Sequence, residues 1–218
     1  RQGWVAALNA IHRRLMAPEW DSMPDGMNFA AICVETAKHL ARDAVVTSDA
    51  GNFSSFIHRY IGFRPGQNFL SSVVGAMGAG VPMAVAASLR SPGRQVVAFL
   101  GDGGALMTGN EIATAMQYGG TPIIIISDNK RYGTIGMHHE VRYPNRPYEA
   151  AVKLTNPDFA AWARVFGAEG ITINSEAEVE AGIARAFAVK TKPVVVHVHT
   201  SAEQMSAWRR RGAPRTQG

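Results

Sequence analysis

Two short segments of this sequence combine residue types at a spacing that could do chemistry. Gly101-Asp102-Gly103-Gly104 follows an apolar run ending at Leu100, and Asp128-Asn129-Lys130-Arg131-Tyr132-Gly133 follows the isoleucine run Ile123 to Ile126. Each offers an oxygen ligand, from Asp102 and from Asn129. The glycines let a backbone approach a ligand closely, and their N–H groups can point at phosphate oxygens. A hard cation such as Mg²⁺ prefers oxygen ligands and is commonly held by one or two side chains plus substrate phosphates. The pair of segments therefore suits a diphosphate held through a metal ion. No Gly-x-x-x-x-Gly-Lys-Ser/Thr run is present, which excludes a P-loop. No Gly-x-Gly-x-x-Gly opens a helix after the first strand, so a dinucleotide site loses its main support.

Such loops act together only if their strands end at one edge of a sheet, because ligands of open parallel sheets sit beyond the strands' carboxyl ends. The rest of the chain supplies that frame by alternating strand-like and helix-like segments. Helices are predicted over 1–16 (Trp4, Leu8, Ile11 and Leu15 on one face), 28–42 with Asn28 as N-cap, 71–89 with a glycine-rich opening turn, 108–118 and 175–189. The helix from Thr108 would turn its positive N-terminal end toward the site. A further helix starts at Asn156, read as an N-cap before Pro157, and ends near Gly167. Strands are predicted over 44–49, 95–100, 122–127, 170–173 and 193–199, with 51–65 irregular. The fold expected is α/β, one doubly wound, mainly parallel sheet with helices on both faces.

Composition narrows the function classes. Of 218 residues, 46% are apolar and 18% charged, enough for a sizeable core and unlike a disordered or collagen-like chain. The single cysteine, Cys33, excludes a disulfide scaffold and a cysteine-rich zinc module, and reads as a buried small hydrophobe. No apolar run reaches the roughly 18 residues of a membrane span. The opening Arg-Gln-Gly-Trp is not a signal peptide, so a soluble, cytoplasmic domain is expected; lacking an initial Met, the chain reads as a piece of a longer protein. The net charge of +5 suits an anionic ligand, and the aromatic interleaving of a nucleic-acid groove is missing. Arg209, Arg210, Arg211 and Arg215 read as a solvated, partly disordered tail. Glu35 and Glu111 read as exposed helix residues, and His197 and His199 as structural histidines on one strand face.

Gly101-Asp102-Gly103 followed by Asp128-Asn129 resembles the cofactor motif of thiamine diphosphate enzymes. Gly75-Ala-Met77-Gly78-Ala-Gly80-Val-Pro82 is similar to the glycine-rich stretch of their acetolactate synthase-like branch. Asp49-Ala-Gly51-Asn52 looks like the earlier diphosphate loop, and Asn156-Pro-Asp-Phe159 like the later helix start. The resemblance covers about 28 to 199 and corresponds to the C-terminal, pyrophosphate-binding domain. It implies a helix and linker from a preceding domain over 1–27, the cofactor domain over 28–200, and a basic tail over 201–218. It implies Mg²⁺ held by Asp102, Asn129 and the Arg131 carbonyl, and diphosphate contacts from Gly51, Asn52, Gly103, Gly104 and Gly133. Gly75, Tyr132 and Thr134 join them around the cofactor, and Met77 would wedge beneath the thiazolium, a role suited to an unbranched, adaptable side chain.

The activity implied is that of a lyase or carboligase acting on a 2-oxo acid, with thiamine diphosphate as electron sink. Alternatives are a decarboxylase without carboligation, or a non-catalytic relative serving as an assembly module. The resemblance also implies that the activating glutamate sits on a separate pyrimidine-binding domain of the same or a partner chain, in a homodimer or tetramer. The fragment alone would then be inactive. Two departures leave the substrate open. The family's Gln-Trp is here Met137-His138, and its Gly-Gln-His-Gln is Gly51-Asn52-Phe53-Ser54. His138, and behind it His139 and His58, are candidate substrate-pocket groups.

Overall fold

A computed structural model describes residues 1–146 and 148–211. Helix α1 (Gln2–Leu15) precedes α2 (Phe29–His39), β1 (Val45–Ser48), α3 (Ser54–Tyr60), β2 (Asn68–Ser71) and α4 (Gly80–Arg90). Strand β3 (Val96–Gly101) runs directly into α5 (Asp102–Thr108), followed by a 3₁₀ turn, α6 (Ile112–Tyr118), β4 (Ile123–Asp128) and α7 (Gly133–Arg142). Then come α8 (Glu149–Val152), α9 (Phe159–Val165), β5 (Glu169–Ile173), α10 (Val179–Ala188) and β6 (Val194–His199), and last a short ribbon of β7 (Gln204–Ser206) and β8 (Arg209–Arg210).

Six strands form one all-parallel sheet in the order β2-β1-β3-β4-β6-β5. The central strands are buried on both faces, which is why they read as unbroken β-branched runs. Alternation divides them cleanly. Val97, Phe99, Ile123, Ile125, Val194 and Val196 meet the α2, α3 and α10 side, where Phe29, Ile32, Ile57 and Ile183 pack. Ala98, Leu100, Ile124, Ile126 and Val195 meet the other side with Val81, Val85, Ile112 and Phe159. This is the doubly wound α/β architecture expected. From β1 the chain leads outward to β2, and from β3 it leads the opposite way to β4, so the crevice between their carboxyl ends is a topological switch point.

Several local expectations change. Residues 54–60, expected as irregular, form α3, burying Phe56, Ile57 and Tyr60. The helix expected over 71–89 begins only at Gly80, because Gly75 (φ +66°) and Gly78 (φ +85°) are left-handed. Ahead of it lies β2, a short and mostly exposed edge strand. The helix expected from Thr108 starts six residues earlier, at Asp102, and breaks at a 3₁₀ turn over Gly109–Glu111. Asn28 caps α2 as expected, accepting the Ala30 N–H, and Cys33 is fully buried. Glu35 is buried rather than exposed, paired with Lys38 and His39; Glu111 is half-buried and accepts from Thr114.

The segments before α2 and after β6 are tied to each other at the edge of the sheet. Met27 bridges Thr200 beyond β6, and Asp25 accepts from the Ser201 hydroxyl and the Ala202 N–H. Residues 201–211, read as solvated tail, fold back as the β7–β8 ribbon, with Met205 and Ala207 buried. Arg211 pairs with Glu140 at 2.8 Å and Glu149 at 2.6 Å. Arg215 lies outside the described residues. Helix α1 buries none of its residues. Among the described residues no helix is long and apolar enough to cross a membrane.

The N-cap of α9 is Asp158, not Asn156: its Oδ1 accepts the Ala160 and Ala161 N–H groups at 2.9 and 3.0 Å. Those backbone donors hold the Asp158 carboxyl below its ordinary range although partial burial works against them. A depressed carboxylate adds stability above its unfolded pKa and loses it as pH falls through the folded one. Asp158→Ala is therefore expected to cost about 1 kcal/mol at neutral pH, and Asp158→Asn much less. The Ala penalty should shrink below about pH 4, as read from urea unfolding across pH.

Candidate functional site

Strands β1, β3 and β4 run parallel, so the segments that follow them emerge at one edge. There they line a pocket of about 640 Å³ with Gly51, Asn52, Met77, Asp102, Gly103, Asn129, Arg131, Tyr132, Gly133 and Thr134 among its walls. Ten of the twelve residues singled out in the sequence thus meet in one cavity. Gly75 and Gly104 do not line it. Gly75 is an exposed left-handed hinge, and Gly104 is packed behind the pocket, where a Cβ would come 1.9 Å from Asp49 Oδ2.

Asp102 is 3% exposed. Its Oδ1 accepts the Gly103 N–H at 2.8 Å, and its Oδ2 accepts from Asn156 Nδ2 at 2.8 Å. Burial pushes its carboxyl up to about 7 against those two hydrogen bonds, and the neighbouring Asp128 pushes the same way. Among the described residues it forms no ion pair with Lys, Arg or His. Asp128 is buried too, but His197 and Asn156 hold its carboxyl below the usual range. Asn156 Nδ2 lies 2.7 Å from Asp128 Oδ1, so one amide donates to both carboxylates, while Asn156 Oδ1 is buried without a partner.

The second loop is set by β4 and α7. Asn129 Oδ1 accepts the Arg131 N–H at 3.2 Å, leaving a lone pair of that oxygen for the pocket. A Cβ at Gly133 would press on Asn129 Nδ2 at 3.2 Å and push that amide by a few tenths of an ångström. Thr134 Oγ1 accepts the Asn52 N–H at 3.0 Å, which ties the loop after β1 to the start of α7. A Cβ on Gly103 would lie 2.5 Å from the Tyr132 ring and 3.3 Å from Met77 Cε. Glycine at 103 therefore lets the Tyr132 ring and Met77 close on the backbone at the pocket wall.

Sequence reasoning missed the roles of Asp49 and Asn156. Asp49, 1% exposed, accepts the Gly78 N–H at 2.9 Å and the Ala79 N–H at 3.1 Å. Thr108 Oγ1 donates to the Gly78 carbonyl at 2.6 Å. Together they pin the glycine-rich loop that carries Met77. The candidate substrate-pocket histidines do not line this cavity. His138 is exposed on α7, His139 stacks on Tyr148 at 4.2 Å, and His58 packs edge-on against Phe69. Met137 instead contacts Asn52, Sδ to Nδ2 at 3.5 Å.

A doubly wound α/β domain with an acidic, glycine-walled pocket at its switch point defines a class of ligand-binding domains. Within that class the chain belongs to the thiamine pyrophosphate enzyme, C-terminal TPP binding domain family, whose model matches residues 49–198. It is 36% identical over 159 residues to the putative thiamine pyrophosphate-containing protein YdaP of Bacillus subtilis (strain 168), covering 72% of this chain and 27% of that protein. It is 34% identical over 163 residues to the acetolactate synthase large subunit of Parasynechococcus marenigrum (strain WH8102), covering 74% of this chain and 26% of that subunit. The chain thus spans about a quarter of these curated relatives. Its fold matches the Rhodococcus jostii RHA1 thiamine diphosphate-dependent 4-hydroxybenzoylformate decarboxylase with a TM-score of 0.76 at 23% identity, over 84% of this chain and 34% of that one.

Gly104→Ala is expected to destabilise the chain by at least about 2 kcal/mol, because a buried, doubly bonded Asp49 carboxylate cannot yield without losing its partners. Gly3→Ala, whose Cβ meets nothing within 4 Å, is expected to be neutral or stabilising by up to about 1 kcal/mol. Urea midpoints at unchanged slope check both.

Proposed function

We propose that this chain is the diphosphate- and metal-holding part of a thiamine diphosphate- and Mg²⁺-dependent lyase or carboligase that acts on a 2-oxo acid. The observation that carries the reading is the buried Asp102 carboxylate, which opens on the pocket beside Asn129 and forms no ion pair among the described residues. Its donor set fits the group: oxygen atoms for a hard cation and glycine backbone along the pocket wall.

Asp102, the Asn129 side-chain oxygen and the Arg131 carbonyl would hold Mg²⁺. Gly51, Asn52, Gly103, Gly133 and Thr134 would take the diphosphate, with Tyr132 beside them. Met77, held over Gly103 by the pinned loop, would support the cofactor from below. The cofactor supplies the electron sink for loss of carbon dioxide from the 2-oxo acid. The chain's own residues bind and orient: Asn156 holds Asp102 in place, and the apolar walls formed by Met27, Phe29, Phe53 and Phe56 exclude water from one side. The group facing the aminopyrimidine would come from a separate pyrimidine-binding domain, in keeping with the greater length of the relatives, and the working assembly would be a dimer or tetramer of the complete protein.

Thermal unfolding with thiamine diphosphate and Mg²⁺ tests this. At about 100 times the dissociation constant the ligand should add about 2.7 kcal/mol, or roughly 5–10 °C for a domain this size. The shift is expected to vanish with EDTA and in Asp102→Ala. A shift that survives both would remove the metal-held diphosphate from the reading. Product analysis on the complete protein separates carboligation from simple decarboxylation.

A further inference from the structure

On the far side of Asp128 from Asn156 lies a second cluster. His197 and His199, two residues apart on β6, present their side chains on the same face of the sheet, and β4 delivers Asp128 beside them, in register with His199. Asp128 Oδ2 lies 2.8 Å from His197 Nε2 and 3.7 Å from His199 Nδ1. One ligand atom from each of the three residues falls within 4.8 Å of the others. Metal–nitrogen and metal–oxygen bonds near 2.0–2.2 Å in a tetrahedral zinc site put ligand atoms about 3.3 Å apart, and the two distances to Asp128 bracket that value.

The other face of His197 supplies an independent argument. Its Nδ1 is buried without a hydrogen-bond partner and sits 3.5 Å from Asp158 Oδ1. A neutral imidazole has one donor and one acceptor nitrogen. With a single proton, on Nε2 toward Asp128, His197 turns a bare lone pair toward the Asp158 carboxylate; Nδ1 donates there only in the doubly protonated ring or with a cation in place of the Nε2 proton. A metal ion on Nε2 reverses this: the ring proton moves to Nδ1, which then donates to Asp158. That is the carboxylate–histidine–metal arrangement that orients ligating histidines. Phe159 packs edge-on against the ring at 5.2 Å and holds its plane.

The geometry points to a second cation site, formed by Asp128, His197 and His199 with Asp158 as the supporting carboxylate, selective for a borderline divalent transition metal of the Zn²⁺ class. Two imidazoles and one carboxylate favour such an ion over Mg²⁺. Asp128 and His199 also line an open surface cleft, with Asp25, Asn129, Lys130, Arg131 and Lys153, from which an ion would reach the site. The site does not depend on the cofactor reading, since it shares no ligand with Asp102 and Asn129.

Zn²⁺ titration of the 218-residue chain by calorimetry, in excess Mg²⁺, tests it, with Co²⁺ as a spectroscopic probe of tetrahedral geometry. One ion per chain is expected. His199→Ala, at a half-exposed position, should fold and weaken binding by at least tenfold. Asp158→Asn keeps a capping side chain for α9 and is expected to weaken binding about 10-fold without moving the melting temperature. Asp102→Ala should bind Zn²⁺ like the parent. Absence of a stoichiometric site, or unchanged affinity in His199→Ala, would overturn the proposal. Equal loss in Asp102→Ala would also overturn it, by assigning the ion to the diphosphate side.

Discussion

The sheet brings two carboxylates out of the ends of adjacent strands and buries both. Asp102 and Asp128 cannot both stay charged in a low-dielectric site without compensation, and the surrounding structure is arranged around that problem. One amide nitrogen, Asn156 Nδ2, bonds to both, at 2.8 and 2.7 Å. The remaining compensation is unequal. Asp128 has His197 on its other oxygen and is held as a low-pKa carboxylate. Asp102 has only a backbone N–H there, and burial wins. Compensation is therefore weaker on the Asp102 side, which faces the pocket.

A second buried acid solves a mechanical problem. The loop before α4 is rich in glycine and would be mobile alone. Asp49 accepts both N–H groups at Gly78 and Ala79, and Thr108 takes the Gly78 carbonyl. The ends of β1 and α5 thereby clamp the loop from two directions, and Met77 is presented over Gly103 by groups that do not themselves line the pocket. Function at this edge needs positions held to within about 0.5 Å, and hydrogen bonds between loop backbone and buried side chains give that more directly than loop composition does.

These two devices mark the boundary of what the sequence discloses. The strands, the parallel sheet and the residues Asp102, Gly103, Asn129 and Met77 are legible because their signals are local: β-branched runs that stop, followed at once by ligand atoms and glycine. Asn156 and Asp49 act on partners 28 to 54 residues away, and no local pattern encodes such partners. Asn156 before Pro157 satisfies the rule for a helix cap, yet Asp158 two residues later takes that place and frees Asn156 for the carboxylates. Asp102-Gly-Gly reads as loop by composition, but strand β3 passes straight into α5 with Gly101 at the junction. The arginines near the C-terminus read as solvated because charge runs usually are. Arg211 instead reaches Glu140 and Glu149 on α7 and α8, a match that only the tertiary fold creates.

The pocket walls also explain how far a ligand's influence would reach. Met27 comes from the segment before α2, and Thr200, Ser201, Gln204 and Met205 come from beyond β6, yet all five line the same cavity as Asp102. The two segments are joined to each other by Met27 N–H to the His199 carbonyl at 3.1 Å and Ser201 N–H to the Met27 carbonyl at 3.0 Å. Gly26 makes that approach possible, since a Cβ there would fall 2.8 Å from the Ser201 nitrogen. Neither wall can form until β6 is in the sheet, and β6 pairs with both β4 and β5. A ligand in this cavity would thus contact segments that are placed only when the whole sheet is assembled. Its binding free energy would act on global unfolding rather than on the opening of one loop.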